Sequence, residues 1–362
     1  MLTDDWKSAL FTLLSSGGTV LVTGGMDSGK TTFTLTLANA CVAQKKTCAV
    51  VDLDPGQSEL GPPTTLSMGL VEHPVDLLSN VIPRHSYFLG SASPAGHLTH
   101  FTAGASALVV PAQALQPHVV AIDLPGVVDG MLGSIMLESI VTAVSPDYIV
   151  SVSRGDELDA VLAPYRGMKR PTVLCIKTTS QARRRSPDVR RTRRELKLAA
   201  CFAEAAPVNL PLAALGVTRA PLFRGKPLSA GDLDSLGRAL EVKVHYAEES
   251  PGSLTVLTEN TPTRVSAIRF AEAQAPTDVF ILPVVAFSGL LLGLVSESGQ
   301  LTSLGIMDRF NPATGMARVL TPCKNTDSIR QVVMGSLRIT PAGKELGPFR
   351  IRKIMTPRDA GK

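Results

Sequence analysis

The sequence predicts an α/β fold in which a parallel sheet flanked by helices is followed by a smaller β-rich domain. Three observations support this. Apolar runs alternate with helical stretches in the first half, a glycine-rich loop joins the first strand to a helix, and short β-rich runs dominate beyond about residue 240. Strands that alternate with helices favour a parallel sheet covered on both faces.

The amino-terminal elements follow from residue spacing and turn residues. Trp6, Leu10 and Leu14 lie at helical spacing, which predicts an amphipathic helix over about residues 3–16. A strand at Thr19–Thr23 then leads through glycines into a helix at Thr31–Gln44. Further strands are predicted at Thr47–Leu53, Tyr87–Gly90, His118–Ile122, Tyr148–Val152 and Thr172–Ile176.

The pattern of alternating strands and helices ends after residue 206. Prolines punctuate the stretch 207–240, which we predict as a linker between a first domain at 1–206 and a β-rich domain at 241–362. Turn residues separate the strands of that last domain. They are predicted at Glu241–Tyr246, Ser253–Leu257, Arg264–Phe270, Val279–Val285, Leu290–Ser296, Ala317–Thr321 and Gln331–Ile339.

The composition is that of a globular protein, with 44% hydrophobic and 19% charged residues. The apolar run Val279–Val295 is interrupted by proline, serine and glycine, so we interpret it as two strands joined by a turn. No signal peptide is evident, and the five cysteines lack CxxC or metal-ligand spacing. We therefore expect a cytoplasmic protein that does not associate with membranes.

The glycine-rich loop carries the strongest motif. Gly24–Thr31 reads GGMDSGKT, which fits the P-loop pattern G-x-x-x-x-G-K-[ST] between a strand and a helix. Such a loop wraps backbone N–H groups around phosphates at a helix N-terminus. Lys30 would bridge the β- and γ-phosphates of ATP, and the Thr31 hydroxyl would ligate Mg²⁺. The predicted phosphate-binding residues are Gly24, Gly25, Asp27, Ser28, Gly29, Lys30, Thr31 and Thr32.

Two aspartates follow the next strand, in the segment DLDPGQ at Asp52–Gln57. Carboxylates two residues apart on a strand point to the same face, and ligands of open α/β sheets bind at the carboxyl ends of strands. We expect both Asp52 and Asp54 to face the phosphates. One would accept the proton of an attacking hydroxyl, the other would hold the water shell of Mg²⁺, and Gln57 would orient the reactants. The alternative is a turn capped by aspartates.

Asp123 ends the run His118–Ile122 and precedes a Pro-Gly turn. A carboxylate in this position is of the Walker B type and can hold a metal-bound water. Thr31, Asp54 and Asp123 are therefore the predicted Mg²⁺ residues. The alternative for Asp123 is an ordinary strand-end aspartate in a turn.

The basic residues are concentrated in one segment. Arg183–Lys197 has a net charge of +6 in a chain whose total is +5, so the remainder sums to about −1. Seven of its eight cations are arginine, whose planar fork suits phosphate oxygens. Arg190 and Arg194 share a helical face, so a lid over about 178–205 could place either on the transferring phosphoryl group. The alternative is a solvated basic helix. Arg183, Arg184 and Arg185 are predicted to contact nucleic acid.

These motifs resemble those of the P-loop polynucleotide 5′-hydroxyl kinases, which include the kinase subunit of eukaryotic pre-mRNA cleavage factor and a ribosomal-RNA-processing kinase. The resemblance rests on Asp27 at the fourth P-loop position and on Asp52–Gln57, which is similar to the D-x-D-x-G-Q signature of the family. Weaker similarity extends to Gly335–Arg338 and so covers most of the chain. The chain resembles a compact archaeal or bacterial-type member.

The resemblance implies roles for individual residues. Lys30 matches the phosphate lysine, Asp54 the acid that activates the 5′-hydroxyl, and Arg190 or Arg194 the lid arginine. The family commonly has a T-x-G-W clasp whose Trp stacks on the terminal base, whereas this chain reads LPGV at Leu124–Val127. Stacking on a base contributes about 1–3 kcal/mol, so we expect the terminal nucleotide to be held more weakly or by other residues.

The expected activity is Mg²⁺-dependent transfer of the γ-phosphate of ATP to a 5′-hydroxyl end of RNA or DNA. The alternative is an ATP-binding scaffold of an RNA-processing assembly with little or no kinase activity, which the missing clasp Trp favours. A second alternative is an ATP- or GTP-driven switch, although a switch GTPase would normally carry an N-K-x-D guanine motif, which this chain lacks.

Overall fold

The computed structural model describes residues 2–128, 130–179, 185–262 and 278–354. The chain divides into two compact units, Met1–Lys197 and Leu198–Lys362, and each is described by itself. Three of the predictions, for Arg183, Arg184 and the strand Arg264–Phe270, concern residues outside the described ranges.

The first unit alternates helices and strands, as the sequence predicts. Its helices are α1 (Asp4–Ser16), α2 (Lys30–Ala43), α3 (Leu98–Ala114), α4 (Gly130–Val144), α5 (Asp159–Leu162) and α6 (Pro187–Cys201), the last of which continues past the boundary of the unit. Its strands are β1 (Gly18–Gly24), β2 (Cys48–Asp52), β3 (Thr65–Val71), β4 (Pro83–Phe88), β5 (Val119–Asp123), β6 (Tyr148–Ser153) and β7 (Thr172–Lys177).

These seven strands form one sheet in the order β4-β3-β2-β5-β1-β6-β7. The five strands from β2 to β7 in that order are mutually parallel, as predicted. The exception is β3, which was not predicted and which runs antiparallel to both β2 and β4. Its sequence TLSMGLV has serine and glycine in its middle, which weakens the strand signal.

Helices cover both faces of this sheet. Alternate residues of β1 point to opposite sides, so Leu21 lies in the core under α3 and α4 while Val20 and Val22 lie in the core under α1 and α2. The second of these cores includes an edge-to-face contact between Trp6 and Phe33, with ring centroids 5.2 Å apart. The buried sheet holds the carboxyl ends of β1, β2 and β5 side by side.

The second unit is β-rich, as predicted. Its elements are β8 (Ala206–Pro211), β9 (Gly216–Thr218), β10 (Lys226–Pro227), α7 (Ala230–Leu240), β11 (Val244–Ser250), β12 (Ser253–Thr258), β13 (Asp278–Pro283), β14 (Leu290–Ser296), β15 (Leu301–Asn311), β16 (Met316–Thr321), β17 (Ile329–Ile339), β18 (Glu345–Pro348) and β19 (Arg352–Ile354). One sheet has the order β10-β11-β12-β13-β19, and the other runs β18-β17-β14-β15-β16-β8 with β9 beside β17.

The stretch 207–240 is not a linker, contrary to the prediction. It contains most of β8, which pairs with β16, as well as β9, β10 and α7. Pro207 and Pro211 are compatible with a strand because β8 lies at the edge of its sheet, where one side of the backbone needs no partner.

The apolar run Val279–Val295 forms parts of β13 and β14, which confirms the interpretation as two strands, and a 3₁₀ helix at Val284–Phe287 lies in the connection between them. Within the residues that the structure describes, no helix combines the length and the apolar character needed to cross a membrane.

Candidate active site

The P-loop lies where the sequence predicts it, between β1 and α2. Gly24 has a φ of 158°, and a Cβ there would lie 2.4 Å from the carbonyl oxygen of Val152, so only glycine fits. The first helical hydrogen bond runs from the Phe33 N–H to the Gly29 carbonyl at 2.9 Å. The amide groups that precede Phe33 therefore lie ahead of the helical ladder and can bind an anion.

Lys30 begins α2 and is almost fully buried. Its ammonium donates a hydrogen bond of 2.8 Å to the carbonyl oxygen of Gly25, within the same loop. Burial lowers the pKa of Lys30, while the carboxylates of Asp123 and Asp54 favour its charged form. A cation is thus held at the centre of the loop, close to two acids.

Thr31 and Asp123 form a pair beneath the loop. The Thr31 hydroxyl donates to Oδ2 of Asp123 at 2.6 Å, while Oδ1 of Asp123 is buried without a hydrogen-bond partner. Burial raises the pKa of Asp123 to about 7, and the nearby Lys30 opposes this shift. A hydroxyl beside a carboxylate with one unsatisfied oxygen is a donor set that suits a Mg²⁺ ion or its water shell.

Asp52 ends β2 directly beside Asp123 on β5. Its carboxylate does not face the phosphate loop, contrary to the expectation. Oδ1 accepts from the Asp54 N–H at 3.0 Å, and Oδ2 accepts from the Glu59 N–H at 2.6 Å, the Leu60 N–H at 3.1 Å and the Ser58 hydroxyl at 3.2 Å. Asp52 therefore organises the loop 53–60, and burial raises its pKa to about 6.

Asp54 lies beyond the strand, where the chain has already turned. Its Oδ1 accepts from the N–H groups of Gly56 and Gln57, each at 2.9 Å, and its side chain lines the central cavity. Burial raises the pKa of Asp54, although Lys30 favours its charged form. Since these hydrogen bonds use one oxygen, the arrangement presents a positioned carboxylate to the cavity.

One cavity of about 740 Å³ collects most of the predicted site. The predicted residues that line it come from the P-loop, from the loop 53–60 that follows β2, which we call the acidic loop, and from the arginine-rich segment. They are Asp27, Ser28, Gly29, Lys30, Thr31, Thr32, Asp54, Gln57, Arg185, Arg190 and Arg194. Gly24, Gly25, Asp52 and Asp123 are not among the residues that line it, and Asp52 and Asp123 are buried.

The arginine-rich segment forms α6, and its start contacts the P-loop. Oδ2 of Asp27 accepts from the Arg185 N–H at 2.9 Å and lies 3.4 Å from Nη1 of Arg190. The side chain of Asp27, predicted to bind phosphate, thus contacts the arginine-rich segment instead. Arg190 is mostly buried, with 18% of its side chain exposed, so α6 is not simply a solvated basic helix.

Residues 24–204 match the family described as "mRNA cleavage and polyadenylation factor CLP1 P-loop". That range is half of the chain and contains the P-loop, the acidic loop, Asp123 and α6. The chain belongs to this CLP1 P-loop family. The predicted resemblance to the polynucleotide 5′-hydroxyl kinases is thereby confirmed.

Archaeal relatives of this CLP1 P-loop protein match nearly its whole length. It is 28% identical over 334 residues to the polyribonucleotide 5′-hydroxyl-kinase of Thermococcus kodakarensis, with 92% of this chain and 91% of that protein covered. It is 26% identical over 337 residues to the enzyme of the same description from Pyrococcus horikoshii, with 92% and 89% covered. For that of Methanocaldococcus jannaschii the identity is 25% over 333 residues, with 91% and 89% covered.

Solved structures show the same fold. The structure of a wild-type Clp1p–Pcf11p complex superposes with a TM-score of 0.60 at 14% identity and covers 92% of this chain and 78% of that chain. A second Clp1p–Pcf11p structure gives a TM-score of 0.58 at 14% identity, with 92% and 79% covered.

Val127 stands where the resemblance leads us to expect the clasp Trp, and it lines the cavity together with Pro125 and Gly126. Gly126 packs against Met26 of the P-loop so closely that a Cβ would lie 2.7 Å from the Met26 Cα. Exposed Leu77 also lines this cavity and was not predicted. Val127 and Leu77 thus give the cavity two aliphatic side chains.

Sequence reasoning missed several other contacts of the site. Arg154, just after β6, donates to the carbonyl oxygen of Asp27 at 2.6 Å. Glu59 lies 2.7 Å from Nη2 of Arg193 and 2.9 Å from Nζ of Lys197. The spacing of Arg193 and Lys197 relative to Arg190 could have indicated a shared helical face, but nothing in the sequence pointed to Glu59 or Arg154.

Proposed function

We propose that this chain is a polynucleotide 5′-hydroxyl kinase that transfers the γ-phosphate of ATP to the 5′-hydroxyl end of RNA or DNA. The observation that carries the proposal is that Lys30, Asp54, Arg190 and Arg194 all line one and the same cavity. Phosphoryl transfer needs positioning and charge stabilisation more than covalent chemistry, and these side chains offer both.

Asp54 is proposed as the general base. The 5′-oxygen of the substrate attacks the γ-phosphorus, its proton passes to the Asp54 carboxylate, and the bond from the γ-phosphorus to the β,γ-bridging oxygen breaks to release ADP. The N–H groups of Gly56 and Gln57 hold one carboxylate oxygen in place. The raised pKa of Asp54 brings its basicity closer to that required for proton transfer near neutral pH.

Lys30 and the lid arginines are proposed to bind and stabilise the phosphates. Lys30 would exchange its hydrogen bond to Gly25 for the β- and γ-phosphate oxygens, while the amides at the start of α2 hold the chain of phosphates. Arg190 and Arg194 lie across the same cavity and would stabilise charge on the transferring group. Gln57 would orient the nucleophile or the γ-phosphate.

Thr31 and Asp123 fit a Mg²⁺ site, because Oδ1 of Asp123 is buried and without a hydrogen-bond partner. We propose that Asp54 also contributes to the binding of the Mg²⁺ ion. Mg²⁺ would supply charge neutralisation across the β- and γ-phosphates. Among the described residues, no group of three or more His, Cys, Asp or Glu side chains could hold a metal. This is compatible with Mg²⁺, which usually binds through one or two carboxylates plus substrate phosphates.

The archaeal relatives are described as polyribonucleotide kinases, which supports RNA as the first substrate to test. The experiment is transfer of labelled γ-phosphate from ATP to matched RNA and DNA oligonucleotides with a 5′-hydroxyl. The same oligonucleotides with a 5′-phosphate serve as the control. Label that appears only on the 5′-hydroxyl substrates, and only with Mg²⁺, is the expected result. An absence of transfer to every oligonucleotide would contradict the proposal.

The alternative is an ATP-binding scaffold with little kinase activity, and the aliphatic residue at Val127 is the observation that favours it. Tight ATP binding without transfer to any oligonucleotide would establish this alternative. The positioned carboxylate of Asp54 and the two arginines in the cavity favour the kinase, since a scaffold needs neither.

A further inference from the structure

The acidic loop and the lid helix are joined by a set of polar contacts. Glu59 on the loop forms ion pairs of 2.7 Å with Arg193 and 2.9 Å with Lys197, both on α6. Lys197 also donates to the carbonyl oxygen of Ser58, and Nε2 of Gln57 donates to the carbonyl oxygen of Arg190 at 3.3 Å. The loop thus contacts two turns of the helix.

The backbone that carries the Glu59 side chain is anchored to a buried carboxylate. Its own backbone N–H donates to the buried carboxylate of Asp52 at 2.6 Å, the shortest of the four hydrogen bonds that Asp52 accepts. The side chain of Glu59 is 19% exposed, so solvent screens these ion pairs less than it would at an open surface. The same loop carries Asp54, five residues earlier in the chain.

The cations of α6 have different partners. Arg190, Arg193, Arg194 and Lys197 share one helical face and all line the cavity. Arg193 and Lys197 pair with Glu59, whereas Arg190 lies beside Asp27. The face therefore combines two cations that pair with Glu59 on the loop and two arginines that line the same cavity, one of them beside Asp27 of the P-loop.

We infer that Glu59 is a positioning residue, which holds α6 through Arg193 and Lys197 so that Arg190 and Arg194 face the transferring phosphate. One loop would then set both the general base Asp54 and the lid arginines. This inference rests on the proposed kinase function. It assigns Glu59 no contact with substrate and gives Arg193 and Lys197 a role distinct from that of Arg190 and Arg194.

The test begins with Glu59→Gln, which keeps the size of the side chain and removes its charge. We expect kcat to fall by roughly 10- to 100-fold, because small misplacement of catalytic groups is enough for such a loss, while the KM for ATP changes by less than about 2-fold. Glu72→Gln is the matched control, since Glu72 forms an exposed ion pair with Arg84 at 3.0 Å and does not line the cavity.

A double-mutant cycle separates the lid from the loop. In an Arg193→Gln/Lys197→Gln background, adding Glu59→Gln should change kcat by less than about 2-fold, because the partners are already absent. If Glu59 instead acted by holding Asp54, the full loss would persist in that background and the inference would be wrong. Wild-type kcat in Glu59→Gln would overturn it as well.

Hydrogen exchange of the substrate-free protein gives a readout that does not depend on activity. Glu59→Gln should raise the exchange rate of the α6 amides relative to wild type and to Glu72→Gln, whereas unchanged exchange along α6 would contradict the inference. If the wild type transferred no phosphate, the proposed function would be wrong, but the hydrogen-exchange comparison would still test whether Glu59 holds α6. If Glu59→Gln does not fold, the Arg193→Gln/Lys197→Gln variant supplies the same comparisons.

Discussion

The P-loop and the lid helix both line the cavity, but different contacts hold them in place. Lys30 in the P-loop contacts Gly25, five residues away, and the loop is bounded by a buried strand and a helix. Lys197 in the lid contacts Glu59, which is 138 residues away. The P-loop is therefore shaped by local sequence and backbone, whereas α6 is held by side-chain contacts that are distant in the sequence. Substitutions in the two regions should differ in both size and kind of effect.

The largest effect is expected for Lys30→Ala in the P-loop. Removing this charge should abolish measurable transfer and sharply weaken ATP binding, because nothing else in the loop can bridge the β- and γ-phosphates. Transfer assays at saturating ATP and equilibrium ATP binding measure the two effects. Lys7→Ala removes an exposed lysine and should leave both unchanged. Normal product yield from Lys30→Ala would refute the P-loop assignment.

Asp54→Asn should lower kcat by roughly 10²–10⁴, the range typical for loss of a general base, with ATP affinity preserved within a few-fold. Steady-state kinetics and ATP titration check this. Asp4→Asn, which changes a fully solvated aspartate, is the control. If Asp52→Asn reduced kcat more than Asp54→Asn did, the roles of the two acids would be reversed.

Arg190→Ala or Arg194→Ala should lower kcat by on the order of 10- to 10³-fold with little change in the KM for ATP, because an arginine that acts in the transition state does not change ground-state binding. Arg191→Ala is the matched control on the same helix, since Arg191 pairs with Glu195 and does not line the cavity. A wild-type kcat in both Arg190→Ala and Arg194→Ala would show that α6 is a solvated basic helix without a catalytic role.

Asp52→Asn tests the support of the acidic loop. An amide cannot accept from donors on both sides, so the free energy of unfolding should fall by about 1–3 kcal/mol near pH 5. The pKa of Asp52 is about 6 in the folded protein, above the ordinary aspartate value. The protonated Asp52 carboxyl therefore makes its full contribution to the free energy of unfolding below about pH 4. That contribution is lost as the pH rises through 6. Denaturant titrations should show the difference between variant and wild type narrowing from pH 5 to pH 7.

The smallest effect is expected for Arg185→Ala, at the entry to the lid. Its predicted role is contact with the nucleic-acid backbone, so the oligonucleotide KM should rise a few-fold while kcat stays unchanged. The slope of log affinity against log salt should fall by about one unit per lost phosphate contact. Arg84→Ala removes an exposed arginine elsewhere and is the control. If kcat fell instead, Arg185 would take part in phosphoryl transfer rather than in nucleic-acid binding.

Part of this site could be predicted because it is encoded locally. Gly24, Lys30 and Thr31 have their positions set by a strand, a turn and a helix that follow directly from residue spacing and glycine geometry. The same holds for Asp123, which ends a buried strand whose register places it beside β1 and β2. Asp54 was predicted from the alternation of side chains along a strand, but β2 ends at Asp52 and Asp54 lies beyond it. Asp52 was wrongly expected to face the phosphates.

The sequence by itself thus determined the P-loop, the central parallel sheet, the β-rich second unit and the arginine-rich segment, because these follow from residue spacing, turn residues and charge within the individual elements. Only the tertiary structure decided that Asp52 turns into the loop, that β3 inserts antiparallel, and that Glu59 pairs with Arg193 and Lys197. Side-chain partners more than a hundred residues apart leave no periodic signal. Their pairing follows from where the sheet and helices bring them, and that is decided by packing of the whole unit.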